Sequence, residues 1–378
     1  MKTPICEKLG IEFPLFAFSH CRDVVAEVSK AGGFGMLGAV GHTPESLEIE
    51  LSWIDEQVDG KPYGVDLIVP TSIDAKEGGL TVQDLEERIP EPHKRYVEQI
   101  LAEHGISTND LWERELAEGY GDNMREAGAS MQLDTALRHN VSLVVNALGV
   151  PPRFMLDAAR EKGILVGALA GTKEHAIKHA EAGLDVVIAA GGEAGGHCGE
   201  IATMVLVPEI VEALHEHPDI AVLGAGGVVT GRQMAACMAM GAQGVWTGSV
   251  WLTTAEAETH PVIKEKMLVA NSRQTVRSRS RTGKYTRQLR SPWTDAWGAS
   301  DAPEPLPMPL QGLVSGPALQ KIDKLALAGD PGAKLLSTYW VGQGVGLMNE
   351  SIAARTVVRE FMEDFAVAAE RLSGLMEG

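Results

Sequence analysis

The sequence predicts an α/β protein folded as a closed (β/α)8 barrel, the TIM-barrel fold, and three observations support this. Eight short apolar runs alternate with helical patterns through the first 255 of the 378 residues. Most of these runs are apolar at successive positions, as expected of parallel strands that are buried on both faces. Eight repeats of strand and helix are typical of such a barrel. A doubly wound open sheet is the alternative, because a linear pattern does not show closure.

The predicted elements follow one another at regular intervals. The predicted strands cover residues 13–18, 34–39, 63–69, 142–148, 164–170, 185–190, 220–226 and 244–250. The predicted helices between them cover residues 22–31, 44–57, 124–139, 152–162, 173–182, 203–216 and 230–240. Residues 1–255 are therefore predicted to form the barrel domain.

A polar insertion, residues 71–123, interrupts the repeat after the third strand. Its helical patterns lie near 81–88, 92–104 and 108–117. In a barrel, the carboxyl end of a strand faces the active-site rim. Long insertions at such a rim are often lids, and the helical periodicity favours a folded one.

A C-terminal extension, residues 256–378, follows the last predicted strand. It is predicted to pack on the barrel through helices near 316–328, 330–338 and 349–374. Its basic run "SRQTVRSRSRTGKYTRQLR" either covers an anionic ligand or forms a solvated surface. Tyr285, Arg287, Trp293 and Trp297 either cap the site or pack.

Composition narrows the class of partner. The chain has 33 basic and 51 acidic residues, a net charge of −18. Nucleic acids and anionic membranes are therefore disfavoured, because binding them needs basic clusters. The four cysteines lack the spacing of a metal or redox motif, so no metal site is predicted. The N-terminus lacks the apolar core of a signal peptide, which favours a cytoplasmic enzyme with a small-molecule substrate.

Glycine-rich loops follow the seventh and eighth predicted strands, in "GAGGVVTGRQ" and "TGSVW". In barrels these two loops commonly form a phosphate site. Gly226, Gly227, Gly248 and Ser249 are the candidates, since backbone N–H groups of glycine can converge on a phosphate. Tight turns between strand and helix are the structural alternative.

The stretch "GGEAGGHCGE", residues 191–200, follows the sixth predicted strand and contains His197. Its glycines, among them Gly195 and Gly196, would let a flat ligand lie close to the backbone. A flexible surface loop is the alternative, and Cys198 is a less favoured thiolate nucleophile. A bound flavin mononucleotide, FMN, explains both the phosphate loops and the histidine loop.

Three segments, "EAGGHCGEIATMVLVPEIV", "VLGAGGVVTGRQMAACMAMGAQGVWTGSVWL" and "HPVIKEKML", closely resemble the nitronate monooxygenase family. "SKAGGFGMLGA" and "VGQGVGLM", which contains Gly342 and Gln343, fit the family too. The resemblance implies an FMN-binding TIM barrel. It matches His197 to the active-site histidine and the four phosphate candidates to the family's two phosphate loops.

Two segments differ from the family where it normally touches the flavin ring. Strand three reads "GVD", with Asp66, where the family usually has "GVN". The first strand reads "PLFAFSHCRD", which places Ala17 and His20 where the family usually has Gln and Met. We expect His20 and Asp66 either to form a polar pair beside the ring or to make a structural hydrogen bond. His175 and His179 share a helix face that is expected to be solvated.

The resemblance implies oxidation of alkyl nitronates with O2 to a carbonyl compound and nitrite. A flavin reductase is the first alternative, taking electrons from NAD(P)H and acting on a quinone or an enoyl thioester of coenzyme A or acyl carrier protein. A non-catalytic flavin- or phosphate-binding protein is the second. The assembly, a homodimer among the options, is left open.

Overall fold

The computed structural model describes residues 1–69, 82–113 and 126–376. Eleven strands are present in these ranges: β1 (Leu15–Ser19), β2 (Phe34–Gly38), β3 (Tyr63–Leu67), β4 (Val141–Asn146), β5 (Leu165–Ala170), β6 (Val186–Ala190), β7 (Gly196–His197), β8 (Ala221–Ala225), β9 (Gly244–Thr247), β10 (Thr275–Ser278) and β11 (Thr286–Leu289). Eight of them form a closed parallel barrel in the order β1-β2-β3-β4-β5-β6-β8-β9. Because β1 pairs with β9, the predicted barrel is confirmed and the open sheet is wrong.

Helices surround the barrel at the predicted places. They are Arg22–Lys30, Pro44–Gln57, Glu126–Ala136, Arg153–Glu161, Lys173–Ala182, Thr203–Ala213 and Gly231–Ala239. Local signals set their ends. Thr43 accepts a hydrogen bond from the Ser46 amide just before the second of these helices begins. The helix Lys173–Ala182 ends at Gly183, whose φ of 82° is left-handed.

Alternation along the strands separates two apolar layers. Inward residues such as Phe16, Met36 and Leu223 fill the barrel interior. Outward residues pack against the surrounding helices. Ala17, which stands near a position where the family usually touches the flavin ring, belongs to the outward layer that packs against the helices. Its neighbour Phe18 packs on the inward side instead.

The helix Pro4–Leu9 covers the amino-terminal end of the barrel. Ile5, Cys6 and Leu9 belong to the interior cluster, and the Ile5 amide bonds to Gln243, just before β9. The opposite, carboxyl end of the strands is where barrels carry their chemistry.

Apolar residues of the insertion and of the extension pack together in a cluster that is separate from the two barrel layers. The insertion contains the helices Val82–Glu87 and Glu91–Glu103, as predicted. The third predicted helix differs, because residues 108–113 form turns and Asp110 has a left-handed φ of 58°, while 114–117 lie outside the described residues. Ile100 and Leu101 pack with Trp293 and Trp297, so both tryptophans pack rather than cap the site.

The extension contains the helices Pro261–Val269, Pro292–Ala296, Leu310–Leu327, Pro331–Leu336 and Ala354–Met376. Short 3-10 turns cover Ser249–Thr253, Ser272–Gln274 and Gln343–Leu347. Arg232 Nη2 and Nε donate to Asp364 Oδ1 at 2.6 and 2.9 Å, which joins the last helix to the helix Gly231–Ala239. Within the described ranges, none of the helices combines the length and the apolar character that crossing a membrane requires.

The basic run of the extension forms a β-hairpin, which the sequence did not predict. Its strands β10 and β11 pair antiparallel, and β11 also pairs with β7. In that pairing Thr286 lies opposite His197 and Arg287 opposite Gly196. The extension is therefore attached directly to the histidine loop.

Candidate active site

Four glycine-containing segments meet at the carboxyl end of the barrel. The Gly342 amide donates to Ser249 Oγ at 2.8 Å, and the Gln343 amide donates to the Glu193 carbonyl at 2.9 Å. A Cβ atom added to Gly344 would lie 2.8 Å from the Gly227 carbonyl. The loops after β6, β8 and β9 thus meet residues 341–345, although these four segments lie far apart in the sequence.

Close backbone contact explains several of these glycines. A Cβ atom at Gly195 would lie 2.8 Å from the Gly342 amide nitrogen, and one at Gly342 would lie 2.6 Å from the Glu193 carbonyl oxygen. Gly226 and Gly227 have left-handed φ values of 108° and 70°. Side chains at these positions would collide or strain the backbone.

Gly196 and Gly248 are different, because their own chain leaves space around them. Among the described residues, a Cβ atom at Gly248 would meet only Phe18, at 3.8 Å, and one at Gly196 would meet nothing within 4 Å. The loop after β9 therefore presents an open backbone beside the left-handed glycines of the loop after β8. This open cradle fits a phosphate group held by backbone N–H donors.

Glu193 connects these loops, and the sequence interpretation missed it. Its carboxylate accepts hydrogen bonds from the Thr203 amide at 2.8 Å and the Thr203 hydroxyl at 2.9 Å. Thr203 is the first residue of the helix Thr203–Ala213, so the negative charge caps the positive end of that helix. The only sequence signal is that Glu193 is an acidic residue in an otherwise glycine-rich stretch.

His197 lies on β7 at the rim, and its side chain is exposed. Its Nε2 atom is 3.0 Å from the Thr282 hydroxyl, which comes from the turn between β10 and β11. Surrounding rim atoms partly desolvate the ring and lower its pKa, and the positive charge of Lys284 lowers it further. The imidazole is therefore neutral at neutral pH.

The hairpin also holds the histidine loop through charged side chains. Arg287 Nε donates to the Gly192 carbonyl at 2.9 Å, and its guanidinium lies beside the Cys198 sulfur. Arg277 pairs with Glu200 at 3.4 Å. Arg287 therefore contacts the histidine loop directly.

An aromatic group lies across the mouth from the histidine loop. The Phe18 ring stacks on Trp246 at 6.0 Å between centroids, and it meets His20 edge-on at 5.1 Å. His20 Nδ1 lies 2.9 Å from the Gly38 carbonyl oxygen. Of the two expectations for His20, the structural hydrogen bond is the one that the structure contains. A Cβ atom at Gly38 would lie 2.7 Å from the His20 ring, so this packing requires glycine.

Asp66 faces the barrel interior near this group and is only 7% exposed. Its Oδ1 atom has no hydrogen-bond partner within the described part of the chain. Burial raises the pKa of this carboxyl well above its usual range. Buried polar atoms normally have a hydrogen-bond partner. The Asp66 carboxyl therefore fits a site in which the polar edge of a bound ring system supplies that partner.

His179 does not lie on a solvated helix face as expected. It is 1% exposed, and its Nε2 atom is 3.0 Å from the Leu169 carbonyl on β5. His175, one turn earlier on the same helix, is exposed. The helix turns the His179 ring toward the barrel, where that carbonyl gives it a partner.

A family model described as "Nitronate monooxygenase" matches residues 2–364. The chain belongs to the nitronate monooxygenase family. A Mycobacterium tuberculosis protein named as a candidate monooxygenase, with no substrate given, is 51% identical over all of both chains. A Staphylococcus haemolyticus protein, "Probable nitronate monooxygenase", is 27% identical over 90% of both chains.

Solved structures of the same fold agree with this family. A nitroalkane oxidase from Streptomyces ansochromogenes has a TM-score of 0.77 and 25% identity over 97% of this chain and 99% of that one. FabK from Thermotoga maritima has a TM-score of 0.72 and 25% identity over 99% of both. Together with the family, these neighbours support an oxidoreductase of the flavin-dependent type that acts on a small molecule.

Proposed function

We propose that this protein is an FMN-dependent nitronate monooxygenase, which oxidises alkyl nitronates with O2 to a carbonyl compound and nitrite. The observation that carries the proposal is the position of His197. His197 lies at the barrel mouth on the same loop as Gly195, which packs against Gly342, and both burial and the positive charge of Lys284 lower the pKa of its ring. This arrangement suits a small anionic substrate that lies next to a flat cofactor.

The cradle would hold FMN by its phosphate end. Gly226, Gly227, Gly248 and Ser249 would surround the phosphate, because the backbone of Gly226 and Gly227 is left-handed, that of Gly248 is open, and Ser249 follows Gly248 directly. The residues that would line the ring are Gly195, Gly196, Gly342, Gln343 and Asp66. Bound FMN supplies the electron-transfer chemistry, and the protein supplies position and electrostatics.

His197 would act at its Nδ1 atom. Nε2 faces the Thr282 hydroxyl at 3.0 Å, whereas Nδ1 has no hydrogen-bond partner among the described residues. With the ring proton on Nε2, the Nδ1 lone pair is free to take a proton from a neutral nitroalkane. With a nitronate, which has already lost that proton, the ring would orient the anion.

A flavin reductase that uses NAD(P)H is the second candidate. The structural similarity to FabK extends over nearly the whole chain and is the observation that supports this second candidate. Such an enzyme would use the same cradle, and His197 would donate a proton to a reduced quinone or enoyl thioester. The two functions differ in the electron donor, so they are separable by experiment.

The test starts from the visible spectrum of the purified protein, followed by mass spectrometry of the released cofactor. We expect a flavin spectrum and the mass of FMN, since the cradle ends at one phosphate and FAD would need further space. Nitronate under air should consume O2 and release nitrite. Fast bleaching of the flavin by NADH without O2, and no nitrite from nitronate, would establish the reductase instead.

A further inference from the structure

Asp66 occupies an inward position on the third strand. Its neighbours Val65 and Leu67 point outward into the helix-facing layer, so alternation turns Asp66 toward the barrel interior. In the register of the barrel it lies between Gly38 on β2 and Val145 on β4. It is therefore an acidic side chain in the inner wall, immediately below the mouth.

Nothing in the described part of the chain compensates a negative charge there. Gly38 and Val145 carry no charge, and burial is the cause that raises the pKa of the Asp66 carboxyl. The two imidazoles on the adjoining loops are His20, which is bonded to the Gly38 carbonyl, and His42. Gln132, from the helix packed outside β3, donates to the Ala39 and His42 carbonyls. An unpaired buried carboxylate costs far more free energy than a neutral carboxylic acid in the same place.

We propose that Asp66 serves the flavin site as a protonated carboxylic acid. Its O–H group would donate one hydrogen bond to the polar edge of the ring system, and its carbonyl oxygen would accept another. An asparagine of nearly the same shape also offers a donor and an acceptor, whereas an ionised aspartate offers acceptors only. This inference depends on the flavin of the proposed function, but not on the substrate.

Protonation of Asp66 then becomes linked to flavin binding. Above the pKa of Asp66 in the flavin-free protein, binding must take up one proton. Affinity should therefore fall by about tenfold for each further pH unit. In Asp66→Asn no such proton is needed. The FMN phosphate also titrates, with a second pKa of about 6, but it does so equally for both proteins.

The test measures FMN affinity of flavin-free wild type and Asp66→Asn by fluorescence quenching, from mildly acidic to alkaline pH. Infrared difference spectra of the same two flavin-free proteins follow the carbonyl band of the protonated acid. We expect this band in the wild type at neutral pH and not in Asp66→Asn. As the pH is raised, the ratio of the wild-type Kd to the Asp66→Asn Kd should stay constant while the infrared band persists. The ratio should rise once the band disappears.

Three results would overturn the proposal: no infrared band at neutral pH, a ratio that stays constant while the band disappears, or weak binding by Asp66→Asn at neutral pH. Asp66→Leu, which removes donor and acceptor, should bind FMN about tenfold more weakly or worse. The infrared measurement needs no flavin, and the measurement of FMN affinity needs no turnover. A failure of the nitronate reaction therefore leaves both readouts intact.

Discussion

The His197 imidazole lies 3.0 Å from the Thr282 hydroxyl, although 85 residues separate the two in the sequence. Thr282 comes from the C-terminal extension and His197 from the predicted barrel domain. The candidate site therefore draws on both sides of the predicted boundary at residue 255. Deleting the extension should remove both the partner of the histidine and the strand that pairs with β7.

Replacement of Thr282 tests this relationship. Thr282→Val keeps the shape of a buried side chain but removes the hydroxyl, so the ring loses its fixed orientation. We expect kcat on a neutral nitroalkane to fall by about threefold to tenfold, the value of one hydrogen bond, with little change in FMN content. Thr282→Ser, which restores a hydroxyl, should recover most of the loss. A valine variant as active as wild type would show that the bond has no role in turnover.

Lys284 should shift the pH dependence of the reaction. Burial lowers the pKa of His197 most, and the positive charge of Lys284 lowers it further, so the neutral base is present at lower pH. Lys284→Met should raise that pKa, and the acidic limb of kcat/KM for a nitroalkane should move to higher pH. Lys162→Met changes an exposed lysine after the helix Arg153–Glu161 and is the matched control. A limb that stays in place, or moves equally in both variants, would contradict the assignment.

Gly248 is the sharpest position for testing the phosphate cradle. Its φ of −127° is not left-handed, and in the described part of the chain an added Cβ would meet only Phe18, at 3.8 Å. Gly248→Asp should fold yet lose FMN, because its carboxylate would repel the phosphate. Gly248→Ala should retain FMN. Gly226 cannot serve here, since a Cβ there would lie 2.5 Å from the Thr203 hydroxyl and φ is left-handed. Normal flavin content in Gly248→Asp would place the cradle elsewhere.

The strands of the barrel were predictable because strands buried on both faces are apolar at successive positions. The helices were predictable from the helical patterns between these runs. Each barrel strand is a short apolar run, and a helical pattern follows most of them. The glycine loops were also visible, since left-handed and crowded backbone at Gly195 and Gly226 admits little else. The observed barrel confirms this part of the interpretation.

The remaining features depend on long-range contacts that local patterns do not encode. The strands β10 and β11 are polar, so neither their hairpin nor the pairing of β11 with β7 left an apolar alternation to detect. The role of Glu193 depends on Thr203, and that of Thr282 on closure of the hairpin. The outward direction of Ala17 was missed because a shift of one residue reverses the face of a strand.

The most direct test of the account compares turnover by wild type and His197→Ala, each loaded with flavin, on a neutral nitroalkane and on its nitronate. Nitrite release and O2 consumption are measured for both. We predict that the wild type oxidises the nitronate and that His197→Ala keeps its fold and flavin. Its turnover of the nitroalkane should fall by roughly 100- to 10,000-fold, as expected for loss of a general base. His197→Asn should lose less on the nitronate, whose proton is already gone. Near-normal turnover of both substrates by His197→Ala, or no nitrite from the flavin-loaded wild type, would contradict the account.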